Sequence, residues 1–98
     1  MPKTKRTPPT LEVHLDIWLR EFGPQNKVKV AADSVEHLLD VLEERHPRLR
    51  FKIRDEAGEL RRYVRVFVDG EDVSGTTGVT TSLTGARTID ILHSTAGG

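Results

Sequence analysis

Between residues 11 and 19 the chain alternates with period two. Leu11, Val13, Leu15, Ile17 and Leu19 hold one phase, and Glu12, His14, Asp16, Trp18 and Arg20 hold the other. Successive side chains of a strand point to opposite faces, so this run predicts a strand with one buried and one wet face. Such a strand must pair, and its apolar face must meet another apolar surface. Gly23 and Pro24 break the run, and residues 25–30 resume it with Val28 and Val30 on one side. The two runs therefore read as a hairpin with a loose loop.

The period then changes. Val35, Leu38, Leu39 and Leu42 recur at helical spacing, with Glu36, Asp40, Glu43 and Glu44 outward. Asp33 is expected to cap this helix, with Glu36 reaching back three residues later. Pro47 ends it near Arg45 or His46. The apolar stripe has one natural partner, the apolar face of the hairpin.

Residues 48–62 are polar; Leu49, Phe51 and Ile53 alternate, which fits a short strand or a turn of helix equally. Val64, Val66 and Val68 mark a further strand, Asp69-Gly70 a two-residue hairpin turn, and residues 71–73 a short return strand. Residues 74–84, rich in Gly and Thr, read as a surface loop pinned by Leu83, and Gly85 marks a turn. Ile89 and Ile91 place the last strand over residues 88–92. The expected fold class is α+β, a mixed sheet of four to five strands on one main helix. The first and last strands, each apolar on one face, are expected to be central neighbours.

Composition limits what such a domain can do. Its 98 residues suffice for one modest core, and a chain this short has little room for a deep enclosed active site. Fifteen basic and fifteen acidic residues cancel, which gives no general pull toward nucleic acid or acidic membranes. The chain has no cysteine, hence no disulfide, thiol nucleophile or thiolate metal site. The four histidines lack the tight spacing of a metal site, so no metal is expected. Ser34, His37 and Asp40 share one helix and cannot converge as a triad, and the acidic turn at 69–72 lacks a full calcium loop. Residues 1–10, with Pro2, Pro8, Pro9 and three basic side chains, read as a mobile arm rather than a signal peptide. With no apolar run of about 18 residues, a cytoplasmic domain is expected.

The order of elements, with Ala96-Gly97-Gly98 at the end, resembles the β-grasp sulfur carrier proteins, the ThiS/MoaD-like family of thiamin and molybdopterin carriers. The resemblance runs over residues 11–98. It is carried by the helix Ser34-Val35-Glu36-His37-Leu38-Leu39, the strand and turn Tyr63-Val64-Arg65-Val66-Phe67-Val68-Asp69-Gly70, and Ile89-Asp90-Ile91-Leu92 before the tail. The middle segment is most similar to the carriers that feed cysteine biosynthesis. The resemblance implies a ubiquitin-like β-grasp domain over residues 11–93 and a flexible tail over 94–98. It also implies that the chain is a carrier rather than an enzyme, with Gly98 as the point of attachment and Gly97 beside it.

Two glycines at the end of a chain arise by chance in roughly half a percent of chains, at about 7% glycine per position. A free α-carboxyl group has a pKa of about 3.3–3.7, so it is ionised at neutral pH and is a poor electrophile. In this family ATP, used by a ThiF/MoeB-like adenylating enzyme, converts it to an acyl-adenylate, and sulfur then displaces AMP to leave a thiocarboxylate. Glycines at 97 and 98 would pass a narrow channel and leave the carbonyl carbon unshielded. The implied partners are that adenylating enzyme and a sulfur-accepting biosynthetic enzyme such as a cysteine synthase, with no bound cofactor. Thr95 and Ala96 would line the partner's channel. The sheet face away from the helix would meet the adenylating enzyme, with Phe67 and Trp18 as first candidates. Trp18, the only tryptophan, is either an exposed anchor or covered by residues 48–62. The same tail would also serve a protein modifier joined to lysines through Gly98, or the small subunit of a molybdopterin synthase.

Overall fold

The computed structural model describes residues 8–24 and 27–93. Its strands are β1 (Thr10–Leu15), β2 (Val28–Ala31), β3 (Val64–Val68), β4 (Glu71–Asp72) and β5 (Thr88–His93). They form one five-stranded sheet in the order β2-β1-β5-β3-β4. The first and last strands are the expected central neighbours: β1 pairs parallel with β5, Val13 opposite Ile89 and Leu15 opposite Ile91. The other pairings, β1 with β2, β3 with β5 and β3 with β4, are antiparallel. A mixed sheet with a helix on one face is the β-grasp arrangement that the sequence predicts.

Two helices are present among the described residues, α1 (Ile17–Arg20) and α2 (Val35–Arg45). The inner face of the sheet carries Leu11, Val13, Val30, Val64, Val66, Ile89 and Ile91, and α2 contributes Val35, Leu38, Leu39 and Leu42; all are buried. Alternation along each strand and helical spacing along α2 aim both sets at one core. No described helix is long and apolar enough to cross a membrane.

The helix start differs from the expectation by one residue. Ser34, not Asp33, is the N-cap: its backbone is extended (φ −150°, ψ 163°) and its hydroxyl accepts the N–H of His37. Asp33 instead holds the His37 ring, with Oδ1 3.2 Å from Nδ1. Ser and Asp cap about equally well, so composition alone did not choose between neighbours. Tertiary pairing did: Val35 N–H donates to the Thr81 carbonyl and Leu83 N–H to that of Asp33. These bonds fasten the loop 74–84 to the start of α2. Val79 is buried there along with the expected Leu83.

The larger correction concerns the opening run. The strand stops at Leu15, and Ile17, expected inside, is 75% exposed in α1. Leu15 and Leu19 are four residues apart, a spacing that also fits a turn of helix, so both stay buried although the backbone changes course. β5 runs on to His93, and it is the Asp16 side chain that meets it where β1 leaves the sheet. Asp16 N–H donates to Ile91 O at 2.9 Å, and the Asp16 carboxylate then takes the N–H of His93 at 2.8 Å.

Residues 48–62 contain no named strand. A 3-10 turn over Pro47–Leu49 is followed by a loop closed by the Arg54–Leu60 bridge. Leu49 and Ile53 enter the core, and Phe51 between them, at φ 65°, stays outside. Arg54 clamps this loop to α2 through Glu43 (2.9 and 3.1 Å) and Asp40 (2.9 Å). Burial weighs most on the Arg54 guanidinium and opposes its charge, but the two carboxylates outweigh it and raise its pKa. On the other side the loop meets Gly23, where an added Cβ would lie 3.0 Å from Leu49 Cδ1.

Replacing Ser34 by Ala should cost about 1 kcal/mol in urea unfolding, the usual loss for a missing N-cap, and Asp33→Ala clearly less. The reverse order would show that Asp33 caps the helix.

Candidate functional site

β5 is bonded along both edges, to β1 and to β3, and leads directly into the candidate segment 94–98. A carboxylate holds each end of it. At the start, Asp69 Oδ1 accepts the N–H groups of Arg87 (3.0 Å) and Thr88 (2.8 Å) and the Thr88 hydroxyl (3.2 Å). Asp69 can reach them because the Asp69-Gly70 turn has left-handed angles at both positions, φ 49° and 88°. That is the two-residue hairpin expected from the sequence. The bonds from the Thr88 and Arg87 amides hold the Asp69 carboxyl below the usual carboxylate range. At the far end stands the Asp16–His93 bond. Bonds to a charged acceptor are the strong kind, so both ends of β5 are fixed.

His93 is the last described residue, and its ring joins an aromatic group. Its centroid lies 4.4 Å from that of Trp18 and 5.3 Å from that of Tyr63. Trp18 and Tyr63 meet edge to face at 5.6 Å and 88°. Trp18 sits in α1, half-buried, with the rings of Tyr63 and His93 against it. Asp16 and Tyr63 escaped the sequence reading. The signal for Asp16 was present, since an Asp before Ile-Trp-Leu-Arg is a helix-start residue, but the period-two run masked it.

Phe67 does lie on the outer face, half-buried in β3. Its neighbours in register are Asp72 on β4 and Asp90 on β5, and Asp90 in turn lies opposite His14 on β1. Leu92, 39% exposed, shares this face. His14 lies between two carboxylates, Glu12 Oε1 and Asp90 Oδ1, each at 3.2 Å. The His14 hydrogen bond, then the charge of Lys27, lowers the pKa of Glu12. The Ser74 amide lowers that of Asp72 in the same way. Phe67 and Trp18 therefore do not form one patch: Phe67 belongs to the outer sheet face, Trp18 to the end where the chain leaves β5. Thr95, Ala96, Gly97 and Gly98 lie outside the described residues. Among the described residues no cluster of His, Asp or Glu could hold a metal ion.

The model of the ThiS family matches residues 18–98. The chain belongs to the ThiS family. It is 28% identical over 78 residues to the sulfur carrier protein CysO of Mycobacterium tuberculosis, covering 78% of this chain and 84% of that one. The crystal structure of M. tuberculosis CysO superposes with a TM-score of 0.76 at 25% identity, over 86% of this chain and 98% of that one. A chain of the Amycolatopsis orientalis BexX/CysO complex superposes with a TM-score of 0.77 at 29% identity, over 90% and 99%. The small archaeal modifier protein 1 of Methanosarcina acetivorans shares the fold, with a TM-score of 0.79 at 22% identity over 96% and 100%. This ThiS-family chain is thus a ubiquitin-like sulfur carrier by kinship, and the curated relatives it matches are sulfur carrier proteins.

Two outcomes follow from the pinning. Asp16→Ala should speed amide exchange at His93 by about tenfold or more, with Ile89 and Val66 unchanged, since one charge-assisted bond guards it. Exchange at His93 that does not change would mean the bond does not hold the strand end. The lowered pKa of Asp69 makes its contribution present at neutral pH and lost as pH falls through the folded-state value. Asp69→Asn keeps the left-handed turn but not the charge. Its stability deficit in urea unfolding should therefore shrink steadily below the ordinary carboxylate range.

Proposed function

We propose that the chain carries sulfur as a thiocarboxylate on Gly98. A ThiF/MoeB-like enzyme joins the carboxylate to the α-phosphate of ATP, releasing pyrophosphate. A sulfur nucleophile then attacks the acyl carbon and AMP leaves. The thiocarboxylate donates its sulfur to a biosynthetic enzyme, with cysteine synthesis from an activated serine derivative as the preferred pathway. Dependence on ATP places this work in the cytoplasm. ATP and sulfur are substrates of the partners, and the carrier itself is a co-substrate.

The observation that carries this reading is the exit of β5. Its end is tied to Asp16 by a bond of 2.8 Å, and the family match continues from there to residue 98. A fixed root gives the segment a defined origin. Five residues span at most roughly 17 Å, enough for Gly98 to enter a partner's cleft while the domain stays outside. Thr95, Ala96 and Gly97 would occupy the channel. Gly97 and Gly98 add no side-chain bulk near the reacting carbonyl. Phe67 and Leu92, on the outer face, would meet the adenylating enzyme; that a similar CysO crystallised in a complex with BexX supports a protein partner for this chain, without naming the face. The chain has no thiol of its own to intercept the activated acyl group.

Incubation with ATP, a sulfide source and the host's adenylating enzyme should change the mass of the C-terminal peptide by one oxygen-to-sulfur replacement. Removal of Gly97 and Gly98 should abolish the change. An active enzyme that adenylates other carriers but leaves this chain unmodified would refute the proposal.

A further inference from the structure

The charges of the chain balance overall but not locally. Residues 48–65 hold seven basic and three acidic side chains, a net charge of +4. Arg54 and Arg65 are used within the fold, paired with Asp40 and Glu43 and with Asp72. Arg48, Lys52, Arg61 and Arg62 have no carboxylate within ion-pair distance among the described residues.

Two of these cations lie over Phe22, and the other two directly precede Tyr63, whose ring meets His93 where the chain leaves β5. Lys52 Nζ lies 4.4 Å from the centroid of the Phe22 ring and Arg48 Cζ 5.5 Å from it. Phe22 N–H donates to Leu19 O, which sets Phe22 one turn beyond Leu19, the residue after Trp18. Arg61 and Arg62 directly precede Tyr63, and the Arg61 guanidinium is fixed by a 2.7 Å bond to Phe51 O. Tyr63 and Trp18 enclose the ring of His93. Ile17, the residue before Trp18, is 75% exposed.

We propose that this cationic, aromatic collar is a docking surface for an acidic protein rim, the mouth of the enzyme that takes up residues 94–98. The inference rests on the carrier reading for what the tail does, but adds which surface of the domain meets the mouth and with what charge. An enzyme that draws in a segment rooted at His93 must bring its entrance against the collar. Unpaired arginines beside an exposed apolar side chain suit Asp and Glu around an apolar seat. Long-range attraction also steers the collar toward such an entrance. The acidic outer face of α2, with Glu36, Asp40 and Glu44, would be repelled by the same rim, which fixes the orientation of approach.

The test uses the full chain and the host's ThiF/MoeB-like adenylating enzyme. Arg48→Glu with Arg62→Glu reverses two exposed charges of the collar. Lys29→Glu with Arg87→Glu makes the same change of net charge at the opposite end of β5. The collar variant should raise the KM for the carrier about tenfold or more at low salt with kcat unchanged, and the difference should fade as salt rises. Restoring charge with Arg48→Lys and Arg62→Lys should recover most of the effect, and the distal variant should behave as wild type. Binding without ATP, followed by amide shifts of residues 48–63, separates the two readings. Collar-dependent binding with no adenylation sustains the docking surface and removes the carrier reading. Normal adenylation indifferent to the collar variant removes the docking surface alone, and absence of both binding and adenylation removes both. A collar that prefers a single-stranded oligonucleotide to the enzyme overturns the proposal.

Discussion

The parallel pairing of β1 with β5 is the constraint on which the other parts of the molecule depend. It joins the first and last strands at the centre of the sheet, and it closes a loop over nearly the whole domain, a contact of high sequence separation. Parallel neighbours need a long crossover, which here contains β2, α2, the loop 48–62 and the β3-β4 hairpin. Two short carboxylates complete the arrangement. Asp69, from the hairpin, fixes where β5 begins, and Asp16, from the end of β1, fixes where it finishes. Both recognise main-chain N–H groups, and Asp69 adds the Thr88 hydroxyl.

Much of this was legible in the sequence because buried faces impose periods. Val64 and Val66, Ile89 and Ile91, and the α2 stripe each follow the period of their element, and each is buried. The Asp69-Gly70 turn was legible for a different reason, since left-handed angles restrict the residues that can serve. What failed was local. Ile17 satisfied a period-two pattern and yet lies outside, because the chain turns into α1 after Asp16, whose carboxylate takes the His93 N–H of the neighbouring strand. Ser34 displaced Asp33 as cap because a remote loop pairs beside it. In both cases a contact distant in sequence decided between choices that were locally equivalent.

The candidate site was legible in one respect and hidden in another. Gly97-Gly98 can be read directly, because its proposed chemistry needs no side chain. The surroundings of the exit cannot. Asp16, Trp18, Tyr63 and His93 come from three separate stretches of the chain, and only the return of β3 and β5 to the same end of the sheet assembles them. The cations at 48, 52, 61 and 62 are likewise spread over a loop without periodicity. Their proximity to the exit follows from Phe22 packing beneath two of them and Tyr63 following the other two.

The stacking of Trp18 on His93 has a practical consequence. It places the molecule's sole indole, at 4.4 Å, on the imidazole from which the C-terminal segment departs. Indole emission responds to the charge and separation of a ring this close. The protein therefore carries its own optical gauge of events at that junction, built from native residues and free of any attached dye.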